Sequence, residues 1–169
     1  MTETEASETI QELARAFPEI TVSEFRKQTR VVVPREQLFD ALKFLRDERN
    51  FTLLVDVTCV DYAAYRKNVP ARFGLVYLLA NPESNERLTA RTFLSEDNLE
   101  IPSVVELWEG ANWLEREAWD MFGIRFLGHP DLRRILLPEE FAAHPLRKDY
   151  PLQGRGERHN FPVVTRDES

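Results

Sequence analysis

The sequence predicts an α+β fold: a two-layer domain with a mixed β-sheet and packed helices, followed by a long Pro/Gly-rich extended C-terminal segment. Three observations carry this. Apolar residues recur every three or four positions near the N-terminus and in two later stretches, as amphipathic helices require. Between those stretches lie short runs rich in β-branched and apolar residues, separated by turn residues. After Gly123, proline returns too often for a long helix to form.

Ser7 is placed to cap a first helix whose apolar positions are Ile10, Leu13, Ala14 and Phe17, with Pro18 as its stop. Ile20, Val22 and Phe25 alternate like one face of a strand, and Arg30 to Val33 reads as its pair. A second amphipathic helix is expected from Arg35 to Arg49, burying Leu38, Ala41, Leu42 and Leu45. Phe51 to Val60 reads as a central strand. Phe73 to Ala80 and Arg87 to Leu94 read as a hairpin, with Asn81-Pro82 as the turn signal. Pro102-Ser103 opens a third helical region containing Val104, Leu107, Trp108, Ala111, Leu114, Ala118 and Met121. Gly110 and Asn112 divide it, and Gly123 is suited to end it. The helices are expected to cover one face of the sheet.

From Gly123 to Pro162 the chain holds five of its ten prolines and four of its six glycines. Linkers of that kind are usually polar, but this one carries Phe126, Leu132, Ile135, Leu136, Leu137, Phe141, Leu146, Tyr150 and Phe161. So many large apolar groups need a surface to lie against. Three parts result: an α+β domain over residues 1–122, an extended docking segment over 123–164 and a flexible tail over 165–169.

Composition excludes several functions. The 169 residues are 43% hydrophobic and 30% charged, as in an ordinary globular protein. Lys and Arg number 22 against 29 Asp and Glu, a net charge of -7 that opposes binding to nucleic-acid phosphates. The single cysteine, Cys59, cannot supply an intramolecular disulfide, an iron–sulfur cluster or a Cys-x-x-Cys pair, and reads as a small buried hydrophobe. No apolar run is long enough to span a membrane, and the acidic N-terminus lacks the features of a secretion signal. No GxGxxG opens a helix after a strand. These features point to a cytoplasmic chain.

The residues able to carry chemistry cluster late in the chain. His129, His144 and His159 have spacings that favour hydrogen bonding or packing over a compact metal site. Glu115, Arg116, Glu117 and Asp120 fall within two helical turns. Arg116 and Asp120, four apart, have the spacing of an ordinary ion pair, so structural pairing is favoured over acid–base catalysis. Trp108, Trp113 and Trp119 suit core or interface anchors. Arg133-Arg134 and Arg147-Lys148 each follow a His-Pro. They lie in a locally basic stretch, with seven Lys or Arg against five Asp or Glu between Gly123 and Arg158. A weakly positive, apolar strap suits an acidic protein partner.

Glu115-Arg116-Glu117-Ala118-Trp119-Asp120-Met121-Phe122-Gly123-Ile124 resembles the signature of the C subunit of proton-pumping NADH–quinone oxidoreductase, respiratory complex I. The match continues through Phe126, Gly128-His129-Pro130-Asp131-Leu132-Arg133-Arg134-Ile135-Leu136. It resumes at His144-Pro145-Leu146-Arg147-Lys148-Asp149-Tyr150-Pro151, whereas Glu140-Phe141-Ala142-Ala143 departs from the family's Asp-Trp-x-Gly. The resemblance implies a non-catalytic structural subunit of the hydrophilic arm, on the cytoplasmic side of the bacterial membrane. In that family the chain clasps the D subunit, which forms the quinone-reducing region with the B subunit. No catalytic, cofactor or metal residue is then expected in this chain, and FMN and iron–sulfur clusters belong to other subunits. The residues expected to meet the partner are Arg133, Arg134, His144, Arg147, Lys148, Asp149 and Tyr150. The alternative is the homologous subunit of an energy-converting hydrogenase or formate hydrogenlyase.

Overall fold

A computed structural model describes residues 8–26, 28–65 and 69–157. Ser7, His159, Phe161, Pro162 and the tail from Thr165 to Ser169 lie outside the described residues. Two of the three stretches in which apolar residues repeat with helical period are helical close to the expected bounds. Helix α1 (Glu8–Ala16) buries Ile10 and Leu13. Helix α2 (Leu38–Arg49) buries Leu38, Ala41, Leu42 and Leu45, the stripe expected for it, and stops at Asn50 in the left-handed region, φ 56°. Its first residues differ from expectation: Arg35–Gln37, just after Pro34, form a separate 3-10 turn.

Five strands make the main sheet: β1 (Thr21–Phe25), β2 (Gln28–Val32), β3 (Leu53–Asp61), β4 (Phe73–Ala80) and β5 (Arg87–Leu94). Their order is β1-β2-β5-β4-β3, with β2 and β5 parallel and the other pairs antiparallel, so the sheet is mixed. The β4–β5 hairpin turns at Asn81, whose side-chain oxygen accepts the N–H groups of Glu83 and Ser84.

The apolar run from Phe51 to Val60 reads as a central strand, but β3 lies at the sheet edge. It packs on one face only, so its burial alternates and Leu53 and Val55 stay about half exposed. β4 is the strand buried almost continuously on both faces. The expected helical region from Pro102 is likewise corrected. Pro102 ends a short strand β6 (Glu100–Pro102), Val104 to Trp108 form turns, and the helix proper is α3 (Ala111–Phe122). After Gly123 the chain first adds β7 (Arg125–Leu127), parallel to β6. These three-residue strands go unrecognised in the sequence because they carry no periodicity to read.

One face of the main sheet is the core. Val31, Ala90, Tyr77 and Val57 lie side by side across four strands, all buried. They join one apolar cluster with residues of α1, α2 and α3, and α3 lies against β3. The other face has Tyr62 over one end. That ring stacks near Phe93, accepts a hydrogen bond from Arg91, and lies 2.8 Å from where a Cβ on Gly74 would sit. Glycine is needed at 74 for that close approach.

Candidate functional site

Beyond Gly128 and up to Glu157 the chain forms neither α-helix nor strand. It wraps helix α3 as a strap, and the contacts are made mainly by charged side chains reaching main-chain atoms.

Asp120, fully buried, is the central pin. Its Oδ2 accepts the N–H groups of Ile135, Leu136 and Leu137 at 3.1, 2.9 and 3.0 Å, and its Oδ1 pairs with the Arg134 guanidinium. Burial pushes this carboxyl's pKa up, but the three N–H groups and Arg134 outweigh it and hold the group below the usual carboxylate range. Arg134 also donates to Ala143 O. Arg116 reaches the strap from one turn earlier, donating to the carbonyls of Arg133 and Arg134 at 3.1 Å each.

The strap then caps the helix. A helix leaves its last carbonyls without internal donors. Here His144 Nδ1 lies 3.0 Å from Asp120 O, the Leu146 N–H donates to Met121 O, and Arg147 Nε donates to Phe122 O at 2.7 Å. A carbonyl can only accept, so the His144 proton sits on Nδ1. Burial holds this imidazole's pKa below its ordinary value. Gly123 turns the chain at φ +80°, and a Cβ there would lie 2.7 Å from the His144 ring.

Further along, Asp61 at the end of β3 accepts the backbone N–H groups of Ala63 and Lys148 and pairs with Arg72. Arg72 also pairs with Asp149 and Glu96. Sequence reasoning misses Asp61 and Arg72; their available signal is a carboxylate at the last position of β3 and a guanidinium just before β4.

Glu115 points the other way, into the interior. It is fully buried and accepts from Ser103 Oγ at 2.6 Å and Val104 N at 2.7 Å. His129, beside Glu115, has its Nε2 3.1 Å from Asn112 O, while its Nδ1 accepts the Asp131 N–H. Glu115 has a pKa pushed up to about 7 by burial.

The structure thus brings Arg116, Asp120, Gly123, Arg134, His144 and Arg147 into one fastening, and sets Glu115 and His129 side by side apart from it. The local Arg116–Asp120 pair does not form: strap N–H groups and Arg134 take the carboxylate instead, because together they offer more donors than one surface-type pair. Glu117 is exposed. Gly128 precedes Pro130 at the start of the strap, also at positive φ. On the outer side stand Arg133, which pairs with Asp131, then Lys148 and Asp149, and the half-buried Tyr150, which donates to Glu157. Trp108 is buried, Trp119 half-buried, and Trp113 is 61% exposed beneath Arg116. Phe141, where the signature departs, is buried against Tyr150. Cys59 is buried, with its thiol pKa pushed up to about 12 by burial. Among the described residues no group of three or more His, Cys, Asp or Glu is close enough to hold a metal, and no helix is long and apolar enough to cross a membrane.

Residues 31–156 match the family described as respiratory-chain NADH dehydrogenase, 30 kDa subunit. The chain is 44% identical over 135 residues to the C subunit of the NADH-quinone oxidoreductase of Geotalea uraniireducens, covering 80% of each chain. It is 46% identical over 122 residues to the second C/D subunit of the NADH-quinone oxidoreductase of Aquifex aeolicus, covering 72% of this chain and 20% of that one. Among solved structures, the trypsin-resistant fragment of Nqo5 matches with a TM-score of 0.69 and 35% identity, covering 74% of this chain and 98% of the fragment. A chain of the archaeal membrane-bound sulfane sulfur reductase shares the fold, with a TM-score of 0.75 at 24% identity over 94% of this chain and 92% of that one.

Proposed function

The chain belongs to the family of the 30 kDa subunit of respiratory-chain NADH dehydrogenase, and on that premise we propose that it is a structural, non-catalytic subunit of NADH–quinone oxidoreductase whose strap clasps the D subunit, the one that carries the quinone site. One observation carries the reading: the strap is pinned on its inner side and presents large apolar side chains among the charges of its outer side. Leu136 and Leu146 are 60% and 49% exposed although their backbone N–H groups are fastened to Asp120 and Met121. A rigid segment that presents large apolar side chains to solvent is suited to bury them against a partner, with little ordering entropy left to lose. Trp113 adds an exposed aromatic beside it.

The charged groups divide the work. Arg134 and Arg147 hold the strap to α3, whereas Arg133, Lys148 and Asp149 keep exposed charge for the rim of an interface. The Aquifex relative, which carries both the C and the D designations in one chain, supports D as the partner. The Nqo5 fragment resists trypsin, which supports a shared body that is stable apart from its complex. In this reading FMN and iron–sulfur clusters reside in other subunits, this chain holds none, and it sits on the cytoplasmic side of the membrane, also near the B subunit. The Geotalea and Aquifex relatives are NADH–quinone oxidoreductase subunits, which favours this reading over an energy-converting hydrogenase.

Affinity purification of the tagged chain from its native membrane tests this. The D and B subunits are expected to co-purify with it, and Leu136→Asp or Arg133→Glu to lower the yield of D while activity per assembled complex stays near normal. Recovery of the chain without D, or full assembly with quinone reduction abolished, would overturn the proposal.

A further inference from the structure

We infer that the helix-free face of the five-stranded sheet is a second docking surface, which takes an acidic and partly apolar surface of a neighbouring protein and lets this chain bridge two partners. The three helices join the core on the opposite face, and the strap is fastened to α3 on that side, so this surface is separate from the one that carries the strap.

The strand register fixes the display on this face. Arg30, Thr89, Leu78 and Asp56 lie side by side across β2, β5, β4 and β3. Arg91 stands two residues along the same strand face, and Gln28 and Arg87 two residues the other way. Three arginines thus face one carboxylate on this surface, in a chain whose net charge is -7. The ion pairs among the described residues include none of the three. Apolar groups are interleaved with them. Val55, at the bulge in β3, is 51% exposed. Phe25, at the end of the β1–β2 hairpin, is 50% exposed with the Arg30 and Arg26 guanidinium carbons 4.5 and 5.2 Å from its ring centre. A hollow of about 160 Å³ opens between Gln28, Val55, Leu78, Arg87 and Thr89.

Concentrated positive charge over apolar ground selects a carboxylate-bearing protein surface. A second copy of this chain is disfavoured because a two-fold contact would set these arginines against themselves. Nucleic acid is disfavoured by the interleaved apolar groups and the acidic remainder of the molecule.

The test is thiol footprinting of the assembled complex, for which the buried Cys59 gives low background. Val55→Cys and Thr89→Cys are each labelled with a maleimide in the isolated full chain and in the membrane-extracted complex. Assembly is expected to slow labelling by about tenfold or more, as burial in an interface does. The double variant R30E/R87E, checked for an unchanged melting temperature as the isolated chain, is expected to lose that shielding or to drop out of the complex at lower salt. Equal labelling in the two states would overturn the inference. So would labelling already slow in the isolated chain, which would put the chain's own tail or a second copy on the face. Shielding that survives the double charge reversal would overturn the acidic partner. Leu136→Cys separates this from the strap reading: shielding there without shielding at Thr89→Cys leaves the strap interface standing and removes this one.

Discussion

The chain up to Phe122 and the strap after it are held by different forces. In the first, the largest fully buried side chains are Tyr77, Phe51 and Phe73, followed by leucines that include those of α1 and α2, and removal of apolar surface from water does most of the work. The strap leaves Leu136 and Leu146 outside, and its position is set by Asp120, Arg116, Arg147 and Asp61 gripping backbone groups. Apolar packing tolerates sliding between similar shapes, whereas a carboxylate that needs three particular N–H groups does not. A polar fastening therefore places an irregular segment where no periodic pattern could.

The largest expected break in that contrast is Asp120→Ala. It strands a buried guanidinium and three N–H groups, so a loss of about 3 to 5 kcal/mol is expected in denaturant unfolding of the isolated chain. Hydrogen exchange sharpens the comparison. Amides at Ile135, Leu136 and Leu137 lose protection, while those of β4 keep theirs relative to the new global stability. Because Asp120 and Asp61 are both held below the ordinary carboxylate range, their contribution is present above that range and is lost as the pH falls through the depressed values.

Glu115→Gln should act in the opposite sense. Burial raises this carboxyl from 4.5 to about 7, so the folded state holds its proton where the unfolded chain has released it. The wild-type chain therefore loses stability as the pH rises from near 4.5 through about 7, on the order of 3 kcal/mol at about 1.4 kcal/mol per pKa unit. Glutamine can still accept from Val104 N–H and donate to Ser103 Oγ. The variant is expected to unfold at higher denaturant than wild type at pH 8 and at similar denaturant at pH 4. Greater instability than wild type at pH 8 would show that the ionised form is needed there.

A smaller effect is expected at the junction of the two regions. Gly123→Ala places a methyl group against the His144 ring at a backbone angle that alanine resists. A loss of about 2 kcal/mol is expected, read as a lower melting temperature.

The same division explains how much of the molecule is legible from residue order. The buried stripes of α1 and α2 and the β4–β5 hairpin can be read because periodicity and the Asn81 turn are local signals. The edge position of β3 cannot, since an apolar run does not say which neighbours it will find. The parallel pairing of β6 with β7 spans α3 and leaves no local trace. In the site, spacing suggests an Arg116–Asp120 pair, but Asp120 is claimed by Arg134 and the N–H groups 15 to 17 residues later. Signature residues can be marked by resemblance, whereas their division into inner pins and outer rim depends on how the strap folds back over α3.

The bond from Lys148 N–H to Asp61 closes a loop of 87 residues. Together with the Arg72–Asp149 pair it is the last distant tie on the chain among the described residues. Beyond it, their hydrogen bonds are short-range: Gly154 to Pro151, Tyr150 to Glu157 and Arg155 to Glu157. In mechanical terms the bond is a buckle, and the described residues after it, 150–157, are the end of the belt that has passed through it. Tension applied at Glu157 reaches the sheet through a carboxylate at the end of β3, so among the described residues the buckle is the first long-range contact to yield, and the rest of the strap peels back toward α3 from there.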